Sequence, residues 1–184
     1  MFARLQWEYE GLRFLLRNLR AAWRLPKMPS IATPEVVLSG CSPFELGRLA
    51  RLHALLREGR TLNFWRLALY ALKGESMVAV ARLPDGDIVG FDMFYFRQGE
   101  VTHRTVHEAF IGTREEWRRR GLATALRLAS IQHFQASGLS GISSHIESSN
   151  SASLRSAVRA GFEVVAQDSE SDSLTLRRNL ERAG

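Results

Sequence analysis

The chain has 184 residues, of which 45% are hydrophobic and 24% charged, enough apolar sequence for one globular domain with its own core. No stretch approaches the roughly 20 apolar residues of a membrane-spanning helix, and charged residues interrupt the first segment where a signal peptide needs an apolar run. The single cysteine, Cys41, excludes a disulfide framework and a cysteine zinc cluster. We therefore expect a cytoplasmic protein that needs no metal.

The net charge of +6 is concentrated near the start of the chain, where residues 1–30 hold six arginines and lysines but only two glutamates. A strongly basic chain can indicate nucleic-acid binding. Here the excess lies in one segment, and neither a helix-turn-helix pattern nor zinc-finger spacing accompanies it. No nucleic-acid partner is expected, although a basic nucleic-acid-binding protein is kept as an alternative.

The first segment predicts an amphipathic helix over residues 3–24, which Pro26 and Pro29 end. Residues 1–30 are therefore interpreted as a basic helix and linker, and residues 31–184 as the main domain. Two interpretations of the helix stay open: it packs on the domain or on a second copy, or it lies in an anionic membrane interface, on the inner face of the membrane. Its apolar stripe consists of Leu5, Tyr9, Leu12, Leu16, Leu19 and Trp23.

The remaining elements alternate between strands and helices. A helix beginning near residue 42 has a serine cap, a proline at its first position and a glutamate three residues after the cap. The predicted elements are, in order, a strand at 34–39, helices at 42–59 and 61–74, two strands within 77–96, a strand at 101–111, a helix at 117–138, a strand at 141–148, a helix at 151–161, and strands at 162–167 and 173–179.

Three consecutive arginines precede Gly121, and the apolar residues of the predicted helix at 117–138 recur after this glycine. The amino terminus of a helix favours negative charge, so added cations indicate an anion site built with the free N–H groups of the first turn. Glycine would let the backbone approach the anion closely. The candidate anion-binding segment is Arg118, Arg119, Arg120, Gly121, Leu122, Ala123 and Thr124.

From about residue 34 to 180, this order of elements resembles the GNAT superfamily of N-acetyltransferases. The family motif Gln/Arg-x-x-Gly-x-Gly/Ala stands here as Arg118–Ala123, and the later asparagine and Gly-Phe pair stand as Asn150 and Gly161-Phe162. The resemblance implies an α/β fold, with a mixed, mostly antiparallel sheet flanked by helices, to which this chain adds the amino-terminal helix. It also implies acetyl-CoA as co-substrate, with its pyrophosphate at the motif.

The resemblance further implies which residues hold the pantetheine arm of acetyl-CoA. These are Ile111, Gly112 and Thr113 at the end of the strand before the motif, and Asn150, whose ordinary alternative is a helix cap. The implied reaction is direct attack by a primary amine on the thioester, with help from a general base. We expect the acceptor to be a small molecule or an amino sugar.

Two candidate general bases follow from the predicted strands. His107 lies eleven residues before the first residue of the motif, where some family members place a base, and its ordinary pKa of about 6.5 suits proton acceptance near neutral pH. His145 and Glu147 share one face of the next strand and form the second candidate. Glu108 is expected to point away from His107.

The chain departs from the family at position 157, where many members carry a tyrosine that protonates the departing thiolate and this chain has alanine. Either solvent or another side chain supplies that proton, or the domain binds acyl-CoA without turning it over. A non-catalytic acyl-CoA-binding module is therefore the alternative closest to the enzyme.

Overall fold

The computed structural model describes residues 2–168 and 171–180. Within these residues, the chain folds into five α-helices and eight strands, with 3₁₀ turns at Pro43–Glu45 and Glu115–Trp117. The helices are α1 (Phe2–Ala21), α2 (Leu46–Leu56), α3 (Phe64–Met77), α4 (Leu122–Ala136) and α5 (Ser151–Arg159). The strands are β1 (Ile31–Ala32), β2 (Val37–Gly40), β3 (Val78–Arg82), β4 (Ile88–Tyr95), β5 (Thr105–Thr113), β6 (Gly141–Glu147), β7 (Glu163–Asp168) and β8 (Ser173–Asn179).

The strands form one sheet in the order β1-β2-β3-β4-β5-β6-β8-β7, in which only β5 and β6 pair in parallel. Because strand side chains alternate between the two faces of the sheet, both faces carry side chains that helices can cover, and helices pack on both. Phe91 contacts His53 of α2 on one face, and Phe94 contacts Phe134 of α4 on the other. The mixed, mostly antiparallel sheet flanked by helices is therefore confirmed.

The helix that was expected from residue 117 begins five residues later, at Leu122. The intervening residues form a 3₁₀ turn followed by a loop in which Arg119 and Gly121 take positive φ values of 62° and 77°. The left-handed conformation interrupts a right-handed helix. The motif therefore lies in a shaped loop rather than inside a helix.

Helix α1 packs on the domain, but most of its predicted apolar stripe takes no part in that contact. Leu5 and Tyr9 are each 61% exposed, Trp23 is 74% exposed, and only Leu19 of the stripe packs against the core. Among the described residues, no helix is long and apolar enough to cross a membrane.

A different face of α1 contacts the domain, centred on the fully buried Asn18. The Asn18 Oδ1 atom accepts a hydrogen bond from the Phe96 backbone N–H at 2.6 Å, and the Phe14 ring lies 5.5 Å from the Tyr95 ring. Trp65 of α3 packs over Gly11, where an added Cβ would lie 1.9 Å from the indole nitrogen. Asparagine and glycine do not count as apolar, so the hydrophobic pattern does not reveal this face.

Candidate functional site

Strands β5 and β6 pair only at their first four residues and then separate. Their register runs from Thr105 opposite Gly141 to Glu108 opposite Ser144, although β5 continues for five more residues. On its other side, β5 has a bulge at Ala109, which no residue of β4 opposes. Beyond the bulge, one edge of β5 has no partner strand among the described residues, so its backbone groups can bond an extended ligand.

The three residues expected to hold the pantetheine arm lie on this unpaired part of β5 and are half-buried. At Gly112, an added Cβ would come within 2.7 Å of Leu56 on α2. Glycine there allows helix and strand to approach closely, which is a packing role in addition to any ligand role. Ile111 and Thr113 lie on the opposite face of the strand.

The start of α4 has the features of an anion site. Gly121 occupies the cap position with φ of 77°, and this residue makes no side-chain cap hydrogen bond to the first turn. An added Cβ would meet nothing within 4 Å, so the backbone conformation, rather than crowding, requires glycine. Because the first N–H groups of a helix have no partner within it, they remain available to a phosphate. Leu122 points into the core, so only its backbone can contribute.

The arginines before Gly121 are exposed and only loosely paired. Arg118 lies 3.9 Å from Glu115, and Arg120 lies 3.8 Å from Glu35 and stacks over the Trp117 ring. Exposed pairs at such distances contribute about 0–1 kcal/mol. The guanidinium groups can therefore turn to a phosphate at little cost.

Asn150 caps α5, because its Oδ1 atom accepts a hydrogen bond from the Ser153 N–H at 3.1 Å. Farther along α5, Ala157 is fully buried, which leaves no room there for a tyrosine side chain. The neighbouring hydroxyl of Ser156 lies 3.4 Å from that of Thr124 on α4. Two hydroxyl groups thus lie between the first turn of α4 and the second half of α5.

His107 is buried on the face of the sheet that α1, α2 and α3 cover. Its Nδ1 atom lies 2.9 Å from the Ser143 hydroxyl, and its ring contacts those of Tyr95 and His145 at 5.2 and 5.3 Å. Burial, with the positive charges of Arg97 and His145, lowers the pKa of His107 to about 3. The expectation of an ordinary histidine pKa is therefore wrong: the ring is neutral at pH 7 and weakly basic.

His145 and Glu147 are exposed on the separated part of β6, with the buried Ile146 between them. The Arg97 guanidinium lies 3.2 Å from the His145 Nδ1 atom. Partial burial and this guanidinium lower the pKa of His145. Of the two expected bases, only the His145 and Glu147 pair is therefore open to solvent.

A charged cluster that the sequence did not reveal lies on the α4 face, where β5 and β6 separate. Arg127 of α4 and Glu108 form a two-pronged ion pair, with N–O distances of 2.8 and 2.9 Å and side chains at most 2% exposed. The Ser144 hydroxyl donates to the same carboxylate at 2.7 Å, and Arg127 donates to the Ser153 carbonyl at 3.1 Å. The cluster thus links β5, β6, α4 and α5.

Asp92 of β4 adds a second buried carboxyl group to this cluster, 3.3 Å from the Ser130 hydroxyl. Burial and the nearby charge of Glu108 raise its pKa well above the usual value. The sequence does offer one indication of this cluster, which is a charged residue inside an apolar segment: Asp92 falls within a run of apolar residues, and Arg127 within the apolar part of α4.

The fold agrees with comparisons to known proteins. Residues 48–162 match the sequence model of the acetyltransferase (GNAT) family. The GNAT-family acetyltransferase from Streptococcus pneumoniae has a TM-score of 0.67 at 18% identity, over 80% of this chain and 100% of that one. The yncA protein from Salmonella typhimurium, solved with its cofactor acetyl-CoA, has a TM-score of 0.65 at 21% identity, over 81% and 96%. The ribosomal-protein-S18-alanine N-acetyltransferase from Escherichia coli has a TM-score of 0.60 at 16% identity, over 80% and 95%.

No match was found among curated protein sequences, and the structural likeness at these identities shows a shared fold. The family match covers more than half of the chain, so the protein belongs to the GNAT family of acetyltransferases. It is an acetyl-CoA-dependent N-acetyltransferase that acts on an amine acceptor. Within residues 2–168 and 171–180, no group of three or more His, Cys, Asp or Glu side chains could hold a metal ion.

Proposed function

We propose that the chain holds acetyl-CoA along the unpaired edge of β5, with the pyrophosphate at the start of α4. The first turn of α4 behind the left-handed Gly121 carries this assignment. The segment Arg118–Thr124 contributes backbone donors and guanidinium groups, and Ile111–Thr113 contributes backbone groups to the pantetheine arm. Asn150, which already caps α5, is assigned to the pantetheine arm as well. When bound, acetyl-CoA supplies the acetyl group as a reactive thioester.

The acceptor is proposed to be a small molecule with a primary amine, which attacks the thioester directly. His145 accepts the proton of the amine, because it is exposed where β5 and β6 separate, and Glu147 on the same face supports it. The neutral His107 contacts the His145 ring at 5.3 Å and keeps it in place. Solvent, or the Thr124 and Ser156 hydroxyls, supplies the proton that a tyrosine at 157 would otherwise give.

The cofactor assignment is tested with Gly121→Val and a matched control. Gly59 also has positive φ, at 86°, and open space around an added Cβ, but it lies in the turn after α2. Both valines carry a strain of about 1–2 kcal/mol. Acetyl-CoA should raise the Tm of the wild type and of Gly59→Val, since a ligand that binds the native state stabilises it, but not that of Gly121→Val. An equal shift in both variants would place the cofactor elsewhere.

The exposed stripe of α1 is proposed to lie on an anionic membrane surface. Leu5, Tyr9, Leu12 and Leu16 are 45–61% exposed on a helix whose other face already packs on the domain. Exposed arginines at 13, 20 and 24 adjoin the stripe. An apolar strip bordered by cations complements the acyl boundary and headgroups of anionic lipids.

Co-sedimentation with vesicles tests this surface. The double variant Leu12→Glu with Leu16→Glu should lose binding to phosphatidylglycerol-containing vesicles. The matched control, Leu55→Glu with Leu72→Glu, changes two leucines that are 72% and 64% exposed on other helices and should keep it. Equal binding to neutral phosphatidylcholine vesicles would contradict the proposal. A wild-type dimer in sedimentation velocity that the first variant dissociates would instead make the stripe an interface between copies.

A further inference from the structure

A pocket of about 390 Å³ lies between α1, the start of α3 and the end of β4. Aromatic side chains form its walls: Trp7 and Phe14 from α1, Trp65 from α3 and Tyr95 from β4. The volume is in the range of small-molecule sites, which are typically apolar with a few placed polar groups. The amino-terminal helix therefore builds half of a cavity that the rest of the fold would leave open.

Three half-buried arginines, Arg17, Arg66 and Arg97, line the same pocket. In the described part of the chain, none of the three forms an ion pair with a carboxylate: Arg17 donates to the Phe96 carbonyl, Arg66 stacks over the Tyr95 ring, and Arg97 contacts His145. Glu10 also lines the pocket, exposed on α1 and bonded to Gln6. The cavity thus keeps an excess of positive charge.

The positive charge of the pocket changes the pKa values of two neighbouring histidines. Arg97 and Arg66 both contribute to lowering the pKa of His107, and Arg97 contributes to lowering that of His145. Half-buried guanidinium groups that form no ion pair with a carboxylate in the described residues favour an anion from outside the protein. Arginine binds carboxylate and phosphate in a two-pronged geometry, with charge-assisted hydrogen bonds.

Two side chains of the pocket wall link it to the place where β5 and β6 separate. Tyr95 lines the pocket and contacts the His107 ring, which in turn contacts the His145 ring. Arg97 lies in the pocket wall and 3.2 Å from His145. A molecule bound against Arg97 would therefore lie one side chain away from His145, to which we assign proton acceptance.

We infer that this pocket binds the acceptor, and that the acceptor is an amine carrying a carboxylate or phosphate on an aromatic or apolar skeleton. The anion lies among Arg17, Arg66 and Arg97, the skeleton lies against the aromatic walls, and the amine points toward His145. This inference rests on the proposed function, because it names the substrate class of the same site. It makes α1 part of the acceptor site.

Binding is measured first without catalysis, using probes that lack an amine. 3-Phenylpropionate and phenyl phosphate should raise the Tm of the full chain, and 3-phenylpropanamide, which keeps the ring but lacks the anion, should not. A shift with only one anion distinguishes carboxylate from phosphate recognition. An equal shift with the amide, or no shift with either anion, would overturn the inference.

Variants then locate the binding. Arg66→Gln and Arg97→Gln should each raise the Kd of the anionic probe at least about tenfold, which corresponds to the loss of a charge-assisted hydrogen bond. Arg13→Gln removes the same charge from the exposed side of α1, outside the pocket lining, and should leave that Kd unchanged. Equal weakening in all three variants would reveal a general charge effect and would overturn the assignment to the pocket.

Turnover completes the test with two matched pairs of amines, phenylalanine against phenylethylamine and O-phosphotyramine against tyramine, measured by thiol release from acetyl-CoA. The anionic member of at least one pair should have the lower KM, and Arg97→Gln should raise that KM without changing the KM for acetyl-CoA. Preference for the neutral member in both pairs would overturn the inference. Failure of the proposed function can be told apart from failure of this inference. In that case acetyl-CoA would give no thermal shift, while the anionic probes still would.

Discussion

Arginines on the two faces of the central sheet have opposite surroundings. On the α4 face, Arg127 is 1% exposed and its guanidinium is bonded to Glu108 and to Ser153. On the other face, Arg66 and Arg97 are half-buried around an open pocket, and no carboxylate pairs with them in the described residues. A buried ion pair whose partners are all within the protein is costly to break, because removing one partner leaves the other charge buried alone, whereas a half-buried charge without an acid partner is available to a ligand.

The largest expected effect falls on the buried arginine. Arg127→Met should lower the free energy of unfolding by about 3–5 kcal/mol, because it leaves the Glu108 carboxylate buried without its partner. Urea unfolding at pH 7 measures this loss. Arg66→Met, on the open face, should change it by less than about 1 kcal/mol. Similar losses in the two variants would remove the distinction between the faces.

The next largest effect concerns catalysis, on the face of the sheet that α1, α2 and α3 cover. His145→Gln should lower kcat/KM by about 10²-fold or more, the usual size of a general-base contribution, and should leave the thermal shift by acetyl-CoA unchanged. His103→Gln alters an exposed histidine outside the site and serves as the control. If His145→Gln keeps full activity and His107→Gln loses it, His107 is the base despite its lowered pKa.

A smaller effect should appear as a pH dependence of stability. The pKa of His107 is about 3 in the folded protein and about 6.5 when unfolded, so the unfolded chain alone takes up a proton as pH falls below 6.5. The stabilising contribution of the neutral ring is thus lost on acidification, by roughly 2 kcal/mol between pH 7 and pH 5. Unfolding experiments on His107→Gln should show a shallower fall over this range, and those on His103→Gln should not.

The smallest effect is expected at Asp92. Because burial and Glu108 raise its pKa in the folded protein, Asp92 favours folding below about pH 4, and this contribution is lost as pH rises toward the raised value. Asp92→Asn should therefore change the free energy of unfolding at pH 7 by less than about 1 kcal/mol. Glu108→Gln, measured alongside, should cost several kcal/mol. A large loss in Asp92→Asn would show that its charge is needed in the cluster.

The order of elements and the motif loop were readable from local patterns. Apolar periodicity marks the strands and helices, and Arg118–Ala123 marks the segment that we propose as the anion site, because glycine and arginine have few substitutes in such a loop. The boundaries around the loop were not readable. Whether residues 117–121 continue a helix depends on positive φ values at Arg119 and Gly121, which arginine by itself does not indicate.

The order of predicted elements and a short contiguous motif were enough to indicate the fold class and the family, because both can be read along the chain. Only the tertiary structure decided which face of α1 is buried, through Asn18 and Gly11, and which arginines are neutralised. Glu108 and Arg127 are nineteen residues apart, and Arg97 and His145 forty-eight. Pairing across such separations depends on strand register and helix packing. An arginine therefore forms a buried ion pair in one place and is a candidate ligand-binding group in the other.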